Sequence, residues 1–262
     1  MDIGSLIGLI AGIIFVVVSI LINGHWEMSS LLAFADAASV MIVIGGTFAS
    51  VFIGQPLSRI VKAFKAMKFA FIPPNYDHGD AIKRIITLSN LARREGVLAL
   101  EEHAQNMEDT FLQKGIMLIV DGADPELVRS VLETEMAFVE NRHNDVRSVW
   151  DMISALAPAW GMVGTMVALV LMMGNLQDIE LLAANMALAM ITTLYGALLS
   201  NFIAIPISRK LMVYNSEEML LKEVLIEGML SIQNGENPRI IEEKLKAFLA
   251  PSLRSKDDGG GR

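Results

Sequence analysis

Met152-Ile-Ser-Ala-Leu-Ala-Pro158-Ala-Trp-Gly-Met-Val-Gly164-Thr165-Met-Val-Ala-Leu-Val-Leu-Met-Met-Gly174 runs without Asp, Glu, Lys, Arg or His. A bilayer core about 30 Å thick needs roughly 20 helical residues, so this run is long enough to cross it. Working outward, Leu181 to Ile207, Ala37 to Ile53 and Ile3 to Ile22 are also free of charge and of spanning length. A mean hydropathy of +0.48 with 53% hydrophobic residues is more than a soluble core requires. The reading is an all-α membrane protein with four transmembrane helices. The longer last run predicts tilt or continuation past the lipid. The chain opens Met1-Asp2 directly into a full span, with no basic stretch before the apolar region, so the first span is expected to be retained rather than cleaved.

Every Lys and Arg lies between Gln55 and Asp151 or after Ile207. Basic loops stay on the cytoplasmic side, which predicts both termini inside and the connections 23–36 and 175–180 outside. Those outer connections carry Glu27, Asp36, Asp178 and Glu180, acids that would concentrate cations at an outer mouth. The expected division is 1–54 as a first transmembrane pair, 55–151 as a cytoplasmic helical loop, 152–207 as a second pair, 208–254 as a cytoplasmic helical tail, and 255–262 as a disordered tail rich in Gly and Asp. A net charge of −8 argues against a nucleic-acid partner, and the absence of cysteine excludes disulfides and thiolate metal sites.

Within the loop, Arg59-Ile-Val-Lys62-Ala-Phe64-Lys65-Ala-Met-Lys68 places apolar residues at helical spacing between cations and reads as an interfacial helix on anionic lipid. Pro73-Pro74 ends it. A helix is predicted from about Asp80, continuing through Arg93-Arg94 and Glu101-Glu102 towards Leu112. Asp124-Pro125-Glu126 has the chemistry of a helix start, a capping carboxylate followed by proline at the first position, and nothing breaks that helix before Pro158. The fourth span has no stop before Asn234-Gly235, after which Asn237-Pro238 opens a last amphipathic helix ending near Pro251.

The third and fourth spans hold Pro158, Thr165, Thr192, Thr193, Tyr195, Ser200, Asn201 and Pro206. Proline releases the carbonyl four residues back, here those of Ser154 and Phe202, which in lipid must find another donor. Pro158 and Thr165 share one helix face, and Thr193, Gly196 and Ser200 share another; facing each other they would form a narrow polar seam. In the first span Gly4, Gly8 and Gly12 make a small-residue stripe read as a packing surface. Ion relays in membranes are usually built on a carboxylate or histidine. None lies in the spans, so conduction would need a partner to supply it.

Four stretches carry a family resemblance: Leu91-Ala-Arg-Arg-Glu-Gly-Val-Leu-Ala-Leu-Glu101, Leu156-Ala-Pro158-Ala-Trp-Gly161-Met-Val-Gly164-Thr165, Ile191-Thr192-Thr193-Leu-Tyr195-Gly196 and Glu223-Val-Leu-Ile-Glu227-Gly228. In this order, over nearly the whole chain, they resemble the A subunits of the flagellar motor stator, MotA and its sodium-type relative PomA. The resemblance implies a homopentamer around a dimer of a B subunit (MotB- or PomB-like), whose membrane Asp binds the ion and whose periplasmic part grips peptidoglycan. It also implies location in the bacterial inner membrane and torque on the rotor protein FliG. Arg93 and Glu101 match rotor-contacting charges, and Arg94 an additional basic one. Pro158 and Pro206 match the functional prolines, and Thr165, Thr192 and Thr193 fall in the ion pathway. The threonines resemble the sodium-type branch, so a transported sodium is favoured over a proton, with transient coordination near Thr165 and Thr193; no resident cofactor or metal is expected. Ala168 departs from the glycine many relatives have there.

An intramembrane enzyme would need a serine with a nearby histidine, or an aspartate pair, inside the membrane. His25, His78, His103 and His143 all lie outside the spans, and the expectation is no enzyme. The TolQ and ExbB energisers are the alternative within the wider family, but they have three spans and an outer N-terminus.

Overall fold

The computed structural model describes residues 3–107 and 109–248, so the tail expected over 255–262 lies outside the described residues, while the last helix ends at Lys246, short of the expected Pro251. It is helical throughout, with no strand among the described residues: α1 Ile3–Asn23, α2 Ala37–Gly54, α3 Leu57–Ala66, α4 His78–Glu95, α5 Leu100–Gln105, α6 Thr110–Val120, α7 Pro125–Met173, α8 Ile179–Gln233 and α9 Pro238–Lys246. Two helices hold a wider π-helical stretch, Met41–Gly45 in α2 and Leu199–Ala204 in α8. Four helices, α1, α2, α7 and α8, are long and apolar enough to cross a membrane.

The helix starts follow their caps. Asp124 accepts from Glu126 N (2.8 Å) ahead of Pro125, and α7 then runs unbroken for 49 residues through Pro158, as the absence of a breaker predicts. Asn237 caps α9, and Gly235 with φ +68° supplies the turn that stops α8. Asp36 and Asp178, two of the four acids expected on the outer side, cap α2 and α8 through Ser39 N and through Glu180 N and Leu181 N, which gives them a structural role beside any effect on cations.

The single helix expected from Asp80 to Leu112 is not formed. Its first part ends at Glu95, because Gly96 takes φ +88° and ψ 163°, a conformation open essentially to glycine alone, and the chain turns through Val97–Ala99 before α5. Arg93 and Arg94 therefore sit on a different helix from Glu101.

The chain divides into two compact units, one comprising the residues up to Pro74 with His143–Val213, the other Asn75–Arg142 with the residues from Tyr214 on. Residues 55–151 contribute to both units. Their first segment, α3, packs with the spans in a core of Val51, Ile60, Ala63, Val149, Trp150, Ile153, Ala204 and Ile207. Trp150 Nε1 donates to the Ala63 carbonyl (3.1 Å), which holds α3 to α7 through a buried bond.

The second unit is built on Ile85, Leu100, Leu112, Ile116, Leu132, Met229, Ile241 and Leu245, all fully buried. Its α9 is latched by charge. Lys244 reaches Glu227 (2.5 Å), which also takes Arg129 (3.0 Å). The hydrogen bond from Lys244, then that from Arg129, holds the Glu227 carboxyl below the usual carboxylate range against the opposing effect of burial, and the same bond raises the Lys244 ammonium. A carboxylate so depressed stabilises the fold above its unfolded pKa, and the contribution is lost as pH falls through the folded value. Tyr76 donates to Glu218 (2.8 Å); burial first, then that carboxylate, keeps its hydroxyl protonated well above the ordinary phenol range.

Candidate functional site

Glycine sets how closely the third and fourth spans approach. A Cβ on Gly196 would lie 2.6 Å from the Ala157 carbonyl oxygen and 3.2 Å from Pro158 Cα. One on Gly161 would lie 3.0 Å from the Thr192 carbonyl oxygen, and one on Gly164 would strike the Thr192 side chain at 2.5 Å. Backbone thus lies on backbone along Ala157, Pro158, Gly161 and Gly164 against Thr192 and Gly196, the small-residue contact that membrane helices use. Thr192, Gly196 and Ser200, spaced four apart, are the buried face of α8 here.

The seam is polar at its Pro158 end. Proline deprives the Ser154 carbonyl of its helical donor, and the Ser200 hydroxyl, within the π-helical stretch, donates to that oxygen at 2.8 Å. Ser200 was legible as a hydroxyl in a span but not as the group that satisfies Ser154, because the partner lies 46 residues away. Nearby, Trp160 Nε1 donates to Ser50 Oγ (3.0 Å), and the Trp160 ring fills the space left by Gly46. Tyr195 donates to the Phe34 carbonyl.

Of the two adjacent threonines, Thr192 enters the seam and Thr193 does not. One residue of α-helix is a turn of about 100°, and Thr193 is exposed on an open groove of 490 Å³ that it shares with Thr165, Leu169, Ala189, Met190, Leu194 and Ala197. The expected face Thr193, Gly196 and Ser200 is therefore split: Gly196 and Ser200 pack, and Thr193 lines the groove with Thr165. All three threonine hydroxyls donate into their own helices, Thr165 to Met162 O (2.6 Å), Thr192 to Leu188 O and Ala189 O (3.0 Å each), and Thr193 to Ala189 O (3.1 Å). With the protons so committed, the lone pairs of Thr165 and Thr193 remain for other partners. Pro206 is exposed and lies two residues past the π-helical stretch, after Ile205.

In the other unit Arg93, Arg94 and Glu101 are all exposed on either side of the Gly96 corner, and Arg94 pairs with its neighbour Glu95 (3.0 Å). No cluster of His, Asp and Glu among the described residues could hold a metal ion.

Residues 103–224, which include all of α7 and most of α8 with every seam residue, match the model of the MotA/TolQ/ExbB proton channel family. The chemotaxis protein PomA of Vibrio alginolyticus is 38% identical over 97% of this chain and 98% of its own. The chain belongs to the MotA/PomA stator subunit family. Another family relative, YtxD of Bacillus subtilis, is 42% identical over 92% of this chain and 88% of that protein. The solved structure of the flagellar MotAB stator complex from Bacillus subtilis matches this fold with a TM-score of 0.85 at 30% identity, covering 97% of this chain and 98% of that one. This family member is therefore a membrane protein with four apolar helices.

Proposed function

We propose that this chain is the A subunit of a flagellar stator, a homopentamer around a B-subunit dimer in the bacterial inner membrane, with both termini cytoplasmic. It conducts a cation, and its exposed charges at Arg93, Arg94 and Glu101 push on FliG. It is not an enzyme. The observation that carries the reading is the groove in which Thr165 and Thr193 present oxygens beside a seam with no ionisable group of its own, in a member of a channel family. A cation crossing there needs a carboxylate, and the B subunit would bring it to this face.

Sodium is the favoured cation. It must replace its water shell with several oxygens at once. Thr165 and Thr193 supply two whose lone pairs are unspent. The same back-bonded hydroxyls also suit the second reading, a proton moving between carboxylate and water with the threonines as plain helix residues. In cells that swim only on this chain with its B subunit, speed should rise with external sodium at fixed pH, and Thr165→Ala or Thr193→Ala should flatten that rise. Undiminished swimming in sodium-free medium, stopped by a protonophore, would establish the proton instead.

The rotor contact is tested separately. Arg93→Glu or Glu101→Lys should slow swimming without changing membrane insertion or ion leak, and only in part, since exposed charge pairs contribute about 0–1 kcal/mol each. An opposite reversal on FliG should restore speed. Full swimming after reversing Arg93, Arg94 and Glu101 together would remove the contact.

A further inference from the structure

The helix α3 has one side fixed to protein and another left over. Ile60 and Ala63 point into the core, Ala63 under Trp150, and Arg59 reaches across to Asp145 (2.9 Å). A quarter-turn away, Leu57 and Val61, four residues apart, are 65% and 45% exposed; Phe64 completes the row, its ring edge-on to Trp150 at 5.3 Å yet still 39% exposed on its outer side, and Phe69 and Ile72 continue the apolar surface beyond the end of the helix. Lys62, Lys65 and Lys68 border this flank, all exposed. Arg59 has its carboxylate, but among the described residues none of the three lysines is paired with one; Lys68 Nζ lies 5.0 Å from the centre of the Phe69 ring.

An apolar strip beside unpaired cations, on a helix already anchored by its third side, is the pattern of a helix lying in a membrane surface. The position fits: only Gln55 and Pro56 separate α3 from the end of α2, a membrane-crossing helix. Lysine stems can lie along the apolar strip while their ammonium groups reach the headgroup level. We propose that α3 is a docking surface for anionic phospholipid, with acyl chains against Leu57, Val61 and Phe64 and phosphate headgroups held by Lys62, Lys65 and Lys68. Through Trp150 and Asp145 the bound lipid is joined to the third span. The inference rests on α2 crossing the bilayer and not on which cation the protein conducts.

The test is native mass spectrometry of the full chain purified with its B subunit from micelles holding equal phosphatidylglycerol and phosphatidylcholine. The wild-type complex should retain phosphatidylglycerol in preference. Lys62→Gln with Lys65→Gln and Lys68→Gln should lower that retention by about tenfold or more, given the attraction of each lysine to an anionic surface, and leave phosphatidylcholine unchanged. The triple change to arginine should keep the preference, which separates lost charge from lost folding. Equal retention of both lipids by the wild type, or phosphatidylglycerol retention unaffected by the glutamine triple, would overturn the proposal. Slower swimming by that triple at full lipid retention would do the same and point to an acidic protein on this face.

Discussion

Gly196→Ala should nearly abolish ion flux and swimming and should lower the thermal midpoint of the purified complex. The added methyl has nowhere to go. Its Cβ would stand 2.6 Å from the Ala157 carbonyl oxygen and 3.2 Å from Pro158 Cα, and these are backbone atoms that no rotamer change can move aside. The third and fourth spans would have to part, at an overpacking cost of about 1–3 kcal/mol. Function should suffer beyond stability, because the same two helices set the spacing of Thr165 and Thr193 across their groove, and small misplacements in a reacting or binding constellation have large effects. Gly45→Ala is the control, since a Cβ there meets nothing within 4 Å. A Gly196→Ala complex as stable and motile as the wild type, or a Gly45→Ala complex equally damaged, would show that close backbone approach is not what Gly196 provides.

Hydropathy and capping chemistry show through the sequence because they act over short range or by composition. Four charge-free runs became four apolar helices, and Asp124-Pro125 and Asn237-Pro238 start helices where their chemistry says they should. What depends on rotation about a helix axis did not show. Thr192 and Thr193 are chemically identical neighbours, and only packing against Gly161 and Gly164 selects the first for the seam. The small-residue stripe of α1 has the same ambiguity: a Cβ on Gly12 would strike the Phe202 ring, while one on Gly8 meets nothing, so within this chain Gly12 packs and Gly8 does not. At Gly96 the pattern Leu91 to Leu112 is compatible with one helix, and only the left-handed φ reveals the corner that separates Arg93 from Glu101. The faces of α3 were hidden for a similar reason. Periodicity identified an amphipathic helix but not that Ile60 and Ala63 face Trp150 while Leu57 and Val61 face outward.

The Ser154 carbonyl gives the sharpest energetic test of the seam. Pro158 has no N–H to offer it, and Ser200 Oγ is its donor. Ser200→Ala should therefore leave a buried acceptor unmade and destabilise the complex by about 1–3 kcal/mol, more than the loss of one membrane hydrogen bond usually costs, about 0.6 kcal/mol. Pro158→Ala restores an N–H four residues after Ser154, so in that background the carbonyl regains its helical partner and Ser200→Ala should cost only a few tenths of a kcal/mol. The two changes must then be strongly non-additive, which denaturant unfolding of the purified single and double variants measures directly. Thr192→Ala is the comparison: its hydroxyl bonds only to carbonyls of its own helix, so removal strands no acceptor, and its cost should be the same with or without Pro158. Equal penalties for Ser200→Ala in both backgrounds would mean that the proline-freed carbonyl is not what Ser200 satisfies, and that the polar end of the seam is held together by packing alone.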